Sequence, residues 1–528
     1  MRSSFGSVVR LARAGFVLAR AGVFNDVDPS ILPPAARLPL ALVKLIAAPS
    51  RASKGSKPAS GLANLPDAIS KLGPSYVKLG QFLATRPDVV GTAVVGYLEL
   101  LQDRMAPFPR DVAIATIETA FNRPLDRIFI SFGEPVAAAS IAQVHRARVR
   151  DSEGERDVAV KILRPGVERL FRRDLGDMYF AARMAERWLD DARRLKPVEV
   201  VDTLARSVKM EIDFRLEAAA ASEFAENVAK DTDFRVPYID WDRTTKEVLT
   251  LEWIDGTPLS DVKALAHKGF DLQDLGRNVI QSFLRHAMRD GFFHADMHQG
   301  NLFVDAQGRL AAVDFGIMGR LGLNERRFLA EILYGFIKRD YRRVAEVHFE
   351  AGYVPRIHKV EDFAQAIRAI GEPIHSRTAD QISMAKLLTL LFEITALFDM
   401  KTRIELVLLQ KTMVVVEGVG RTLDPKLDMW STSEPVVGAW IEQNLGPVGK
   451  LQDASRAAST LGRFAVNLPS VLVRGENIVN QLERMAENGF ELSDSVIDKI
   501  GKAEARGARW GHIALWLIAA IGLLLLFR

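Results

Sequence analysis

The chain has 528 residues, with 70 lysines and arginines against 66 aspartates and glutamates, and no cysteine. That length allows more than one domain and a large core. The missing cysteines exclude disulfides, thiolate metal sites and cysteine nucleophiles, and a net charge of +4, small and dispersed, argues against a nucleic-acid partner.

In chain order, the first segment "SSFGSVVRLARAGFVLARAGVF" mixes Phe5, Val8, Leu11, Val17 and Leu18 with Arg10, Arg13 and Arg20. The arginines interrupt any signal-peptide core. Two readings of this basic amphipathic helix stand open: it lies on a membrane, or it packs on the protein's own body. "APSRASKGSKPASG" (48–61) has linker composition. Residues 64–104 predict helices broken by Gly73-Pro74 and Arg86-Pro87, 128–163 predict strands, and 198–228 predict one long helix. A strand over 247–259 leads into a Gly-Pro turn, and beyond 270 the pattern is helical except for one hairpin at 302–314.

The tail "WGHIALWLIAAIGLLLLFR" has 15 uninterrupted apolar residues from Ile513 to Phe527, or 18 from Trp510 with His512 tolerated in the span. Eighteen helical residues span roughly 27 Å, close to a bilayer core of about 30 Å. Lys499, Lys502, Arg506 and Arg509 precede it and only Arg528 follows, so the bulk of the protein is expected on the cytoplasmic side. The expected organisation is a basic segment (1–47), a linker (48–61), a helical extension (62–115), a sheet lobe (116–255), a helical lobe (256–430), a C-terminal helical region (431–509) and a transmembrane tail anchor (510–528). Strands first, then helices around one hairpin, describe an α+β protein.

The strongest chemical signal is "HADMHQGNLFVDAQGRLAAVDFG" (294–316). Closing a hairpin between Leu302–Val304 and Arg309–Val313 brings Asn301 near Asp314, with Asp296 in the entering loop. An amide oxygen and two carboxylates suit a hard cation bound through oxygens. Phosphoryl transfer needs this set: one aspartate near the attacking hydroxyl or water, and Asn plus a second Asp for Mg²⁺. His294 and His298 have zinc spacing on a helix, but Gly300 and the following strand argue against a helix there; His294 is expected to pack structurally.

Upstream, Val158, Val160 and Ile162 share one face of a strand, which turns Lys161 to the other with Ala159 and Leu163. A lysine one strand after the turn in "EPVAAASIAQVHRARV" (134–149) is a phosphate-binding candidate needing a carboxylate partner. On a continuous helix Asp213 and Glu217 lie about 40° apart and Glu211 at least about 120° from both, so two basic partners are implied. Lys78 and Gln81, one helical turn apart in "GPSYVKLGQFLATRPDVV", offer the second; on physics alone theirs is an ordinary amphipathic helix.

Together these residues closely resemble the UbiB family of atypical, protein-kinase-like proteins, associated with ubiquinone biosynthesis. The carriers are "KLGQ" (78–81), "AAASIAQVH" (137–145), "AVK" ending at Lys161, "EIDFRLEA" (211–218), "HADMHQGN" (294–301) and "DFG" (314–316), with "LLQKTMVVVEGVGRTLDP" (408–425) similar to bacterial members. The resemblance implies a protein-kinase-like two-lobe fold binding ATP or ADP and Mg²⁺. It implies that the turn of Ala137, Ala138, Ala139, Ser140, Ile141, Ala142, Gln143 and Val144 covers the phosphates, and that Lys161 contacts them and pairs with Glu217. It further implies that Lys78 and Gln81 cover the cleft facing Glu211 and Asp213, that Asp296 is catalytic, that Asn301 and Asp314 bind Mg²⁺, and that backbone near Glu252 and Ile254 holds adenine.

The implied function is a membrane-bound kinase or ATPase of the bacterial inner membrane that supports ubiquinone biosynthesis, aiding the polyprenylphenol hydroxylation steps. Implied partners are anionic lipid, polyprenyl-phenol precursors, quinone-biosynthesis enzymes and a second copy of the chain. Two alternatives stand beside it: a small-molecule kinase of the aminoglycoside- or choline-kinase type, which lacks the K-x-G-Q segment, and a nucleotide-binding scaffold. Two departures are visible. Ala295 replaces the arginine that precedes the catalytic aspartate of ordinary kinases, which removes a clamp for a phosphorylated activation loop. Gln299 stands where many family members have proline.

Overall fold

The computed structural model describes residues 2–23, 61–375 and 394–446, excepting 85, 87–89, 99, 102–104, 153, 189–192, 194–195, 395–396 and 401–403. The expected tail anchor, most of the linker and most of the C-terminal region lie outside the described residues. Among those described, no helix is long and apolar enough to cross a membrane.

The chain opens with helix α1 (Arg2–Arg20). Helices α2 (Leu65–Leu72) and α3 (Pro74–Ala84) follow, and Gly73 at φ 105° separates them. Glycine takes that backbone without a Cβ penalty, and proline fits the first turn of the next helix, whose amide has no intrahelical partner. With α4 (Thr92–Leu98) these helices share a small core of Leu65, Ile69, Val77, Leu98 and Leu101. The glycine of K-x-G-Q has its reason here: a Cβ on Gly80 would overlap Leu101 Cδ1. Helix α5 (Arg110–Phe121) then leads into the sheet lobe.

Strands β1 (Ser131–Ala138), β2 (Ala142–Asp151) and β3 (Gly154–Leu163) form an antiparallel sheet. Period-two alternation gives it two apolar faces. On the outer face Val158, Val160 and Ile162 pack with Phe132, Ala147 and Val149 beneath Ala113 and Ile117 of α5. The inner face carries Lys161, opposite Val144. Helix α6 (Val167–Trp188) crosses next. Arg10 of α1 donates to both carboxylate oxygens of its buried Asp177, at 2.5 and 2.7 Å. Ala14 and Ala19 of α1 are buried too. The first helix therefore packs on the protein's own body.

The single helix expected over 198–228 is two: α7 (Pro197–Glu211) and α8 (Phe214–Val228). Asp213 is extended and caps α8 by accepting from Arg215 N at 3.2 Å, while Phe214 N donates to Lys246 O at 3.0 Å. A capping carboxylate and a bond to a distant carbonyl outweigh helix continuity. After β4 (Phe234–Arg235), strand β5 (Val248–Glu252) joins the sheet beside β3.

The chain passes to the helical lobe at 253–255. The expected Gly-Pro turn is instead strand β6 (Gly256–Pro258), paired antiparallel with residues 303–305 of the expected hairpin. A Cβ on Gly256 would meet Val304 O at 2.9 Å, so this crossing is built for glycine. Helices α9 (Val262–His267) and α10 (Leu272–Arg285) precede β7 (Phe292–His294), β8 (Leu302–Asp305), β9 (Leu310–Ala312) and β10 (Met318–Arg320). Beyond the expected hairpin β8–β9, β10 pairs antiparallel with β7, Met318 opposite His294. Helices α11 (Leu323–Ile337), α12 (Tyr341–Glu350), α13 (Val360–His375), α14 (Ile404–Leu423) and α15 (Met429–Leu445) complete the described chain.

Candidate active site

The helical lobe supplies one wall of a cleft from a single stretch, residues 294–316. Asp305 folds the hairpin turn: its Oδ1 accepts from Gln307 N and Arg309 N at 3.0 and 2.9 Å. Hairpin closure seats Asn301, whose N–H group donates to His298 O and whose carbonyl accepts from Val313 N, both at 2.9 Å. Asn301 Nδ2 donates to Asp296 O at 3.1 Å, so its Oδ1 is the end able to ligate a cation.

His294 is structural. Its Nδ1 accepts from Asp296 N at 3.1 Å and its Nε2 lies 3.2 Å from Val313 O, which requires the proton on Nε2. Burial holds its pKa below the ordinary histidine value. His298 Nδ1 accepts from Gly300 N at 3.0 Å, closing the tight turn that Gln299 occupies. Among the described residues no group of three histidines, cysteines or acids could hold a metal.

Asp314 has left-handed backbone, φ 65°, an uncommon conformation for a non-glycine residue. Phe315 beside it is buried against Phe224 and His294, with ring centroids 5.9 and 5.4 Å away. That anchorage turns the Asp314 carboxylate to Lys161, whose Nζ lies 3.0 Å from Oδ1. The same Nζ donates to Glu217 Oε1 and Oε2 at 2.8 and 3.0 Å. Lys161 thus bridges the two lobes.

The electrostatics follow from one lysine between two acids. Burial opposes its charge, but Asp314 and Glu217 outweigh burial and raise the Lys161 pKa. Burial pushes Glu217 up to about 7; the lysine charge opposes the rise and the Asp314 charge adds to it. The partial burial of Asp314, whose side chain is about half exposed, works to raise its pKa, yet the lysine holds it below the ordinary aspartate range.

Glu211, at the end of α7, pairs with Lys78 of α3, both nearly buried. Gln81 stands one turn further along α3, half-buried. Two acids thus serve two lysines, Glu217 with Lys161 and Glu211 with Lys78. Asp213 does not share that geometry with Glu211: besides capping α8 it holds Arg215 at 2.9 and 2.7 Å. The angular separation expected on a continuous helix has no meaning across the break at 212–213.

The turn between β1 and β2 is shorter than a glycine-rich phosphate loop. Ala139 N donates to Ala142 O at 2.8 Å, leaving only residues 139–141 outside the strands. None of the residues 137–144 has positive φ, so alanine costs nothing there. Ala137–Ala139 and Val144 are partly exposed, whereas Ser140, Ile141, Ala142 and Gln143 are buried. Gln143 was expected among the nucleotide contacts; its amide is instead bound to Phe108, Oε1 accepting from N at 2.8 Å and Nε2 donating to O at 3.2 Å.

At the crossing, Glu252 N donates to Tyr238 O at 2.8 Å and Trp253 N to Asp157 O at 3.2 Å. The Glu252 carboxylate binds Arg235 and accepts from Tyr238 N. The Glu252 N–H and carboxylate thus serve the fold, and the expected adenine contacts at Glu252 and Ile254 rest on the remaining backbone groups there.

One residue escaped the sequence reading. Thr412 Oγ1, buried on α14, lies 3.0 Å from Ala295 O and 2.8 Å from Leu408 O of its own helix, its one hydroxyl hydrogen shared between the two carbonyls. It fastens the loop carrying Asp296 through the backbone of the preceding residue, Ala295. Its only sequence signal was a hydroxyl within the apolar run "LLQKTMVVV".

A sheet lobe whose lysine–glutamate pair meets an Asn/Asp hairpin wall defines a protein-kinase-like site. The comparisons agree. Residues 100–348 match the ABC1 atypical kinase-like domain, and residues 367–428 the UbiB helical domain. A "Probable protein kinase UbiB" of Marinobacter nauticus is 42% identical over 390 residues, 73% of this chain and 71% of that protein. Its namesake in Pseudomonas entomophila is 39% identical over 408 residues, 76% of this chain and 75% of the relative. A solved Rv3197–erythromycin complex from Mycobacterium tuberculosis has a TM-score of 0.46 at 25% identity, covering 70% of this chain and 91% of that one. The chain belongs to the UbiB family, and that membership implies a role in ubiquinone biosynthesis.

Proposed function

We propose that this protein is a membrane-bound, ATP-dependent atypical kinase or ATPase that supports ubiquinone biosynthesis by aiding the polyprenylphenol hydroxylation steps. The observation that carries this reading is Lys161 Nζ lying within 3.0 Å of both Glu217 and Asp314, beside Asn301 and Asp296. The donor set suits Mg²⁺: Asn301 has its amide hydrogens turned to Asp296 O, and Asp314 is held ionised by Lys161. Bound there by Asn301 and Asp314, Mg²⁺ supplies neutralisation of phosphate charge.

The remaining roles belong to the chain's own groups. Glu217 orients Lys161 toward the phosphates. Asp296, with a side chain about one-third exposed, accepts the proton of the attacking water or hydroxyl. One P–O bond forms to that oxygen as the bond to ADP breaks. Lys78 and Gln81 bound the acceptor side of the cleft. A tail anchor over 510–528 keeps the cleft near bilayer-borne quinone precursors. The outward Val8, Val9 and Phe16 of α1, with exposed Arg13 and Arg20, offer an anionic lipid surface a second contact.

The test is phosphate release from Mg-ATP by the purified full chain, with and without anionic vesicles and a phenolic quinone precursor. Wild type is expected to release phosphate and Asp314→Asn to lose at least about a thousandfold. Equal rates for the two proteins sink the catalytic reading.

A further inference from the structure

The alanine turn is tied to a strap of chain arriving from the helical extension. Met105 N donates to Ala138 O at 3.1 Å. Arg164, immediately after β3, donates from one guanidinium nitrogen to Ala106 O at 3.1 Å and Ala139 O at 3.0 Å. Its guanidinium carbon lies 5.3 Å from the centroid of the Phe108 ring. Its backbone N donates to Ile141 O at 2.7 Å, so one residue holds the turn from both sides.

Gln143 completes the tie on the sheet face opposite Lys161. Besides both backbone groups of Phe108, its Nε2 reaches His145 Nε2 at 2.8 Å. His145 Nδ1 lies 2.9 Å from Gly133 O, and its ring stacks on Phe132 at 4.4 Å. The proton therefore sits on Nδ1 and Nε2 accepts from the glutamine. Both side chains are fully buried, and every donor and acceptor of the Gln143 amide is used in a direction that reaches no ligand. The chemistry of "AQVH" is mechanical: it ties the start of β2 to Phe108 on the face opposite Lys161.

We infer that Gln143 and Arg164 are positioning residues that set nucleotide affinity by fastening the alanine turn to residues 105–108, so that strap and turn move as one unit. The inference rests on the nucleotide-phosphate reading of the cleft. A glycine-rich loop adapts to phosphates by flexing; this turn is preorganised by tethers, and loosening them returns the ordering cost to the binding step.

The test uses the full chain with Mg²⁺ and a fluorescent ADP or ATP analogue, comparing wild type, Gln143→Leu and Arg164→Lys. The lysine keeps the charge on a part-exposed side chain but is shorter and lacks the planar guanidinium fork that reaches Ala106 O, Ala139 O and the Phe108 ring together, so it remains informative if the buried leucine variant fails to fold. Kd and KM are expected to rise about tenfold, with kcat changing less than about threefold. Hydrogen exchange at Met105, Phe108, Ala139 and Arg164 is expected to quicken together while the hairpin 302–312 keeps its protection. Unchanged nucleotide affinity in a folded variant, or faster exchange in the turn without the strap, overturns the inference. Wild type that binds no nucleotide overturns instead the phosphate reading and with it the affinity claim, while the exchange pattern still decides whether strap and turn are coupled.

Discussion

The two walls of the cleft are built by opposite means. The helical-lobe wall is one stretch, 294–316, whose site side chains are set largely by bonds within the stretch itself: His294 with Val313, Asn301 with Asp296. The sheet-lobe wall is assembled from distant pieces. Gln143 reaches back 35 residues to Phe108, and Lys161 reaches forward 56 to Glu217 and 153 to Asp314. A hairpin can store site geometry in spacing alone, whereas the upper wall exists only once the lobes have packed. Disturbing the lower wall should therefore strike chemistry, and disturbing the upper wall should strike binding.

The sharpest way to break that division is Lys161, which touches both walls. Lys161→Ala leaves the Glu217 and Asp314 carboxylates facing a cleft with no cation between them. Phosphate release should fall at least about a thousandfold, and nucleotide Kd should rise at least about tenfold. A variant that lost only one of the two would assign the lysine to a single wall, as measured by steady-state rates beside nucleotide titration.

Thr412→Val tests the lower wall without touching its acids. The swap is close to isosteric, removes the bond to Ala295 O and leaves a buried carbonyl short of one partner, a cost of roughly 1–3 kcal/mol. Expected is a fall of about tenfold in kcat with nucleotide Kd unchanged, because Asp296 loses placement while the phosphate side is intact. A matched loss of Kd would mean that α14 supports the whole cleft.

The same contrast explains what was legible beforehand. The α+β organisation followed from a period that switches from 2 to 3.6, and the facing of Lys161 followed from Val158, Val160 and Ile162 alone. The D-x4-N, hairpin, D-F-G wall followed from local spacing. The break at 212–213 did not, because it depends on Asp213 as a cap and on a bond from Phe214 to Lys246, which no helical periodicity records. Thr412 and the strap 105–108 were hidden for the same reason: each acts through the backbone of a residue far along the chain. The tie of the Gln143 amide to Phe108 was hidden as well, because the motif names which residues recur near a phosphate turn, not which face of the strand their side chains occupy.

Smallest in size, and the most direct probe of how the walls are joined, is the pH dependence of stability. Glu217 is pushed up to about 7 from an ordinary 4.5, by burial first and by the Asp314 charge as well, against the attraction of Lys161. A carboxyl with a raised folded pKa binds its proton more tightly when folded, so its contribution is full below about pH 4.5 and is lost as pH rises through 7. Asp314 has the opposite sign: its lowered pKa stabilises the fold above the ordinary 3.8 and that support fades only in acid. Between pH 5 and 8 the Glu217 effect therefore stands alone in this pair. The melting temperature of wild type minus that of Glu217→Gln should fall across this range by about 5 °C. In an Asp314→Asn background Glu217 has Lys161 to itself, and the slope should shrink. A slope that ignored the asparagine would mean that the lysine is not shared, and that the two walls meet without the electrostatic joint on which the cleft's chemistry rests.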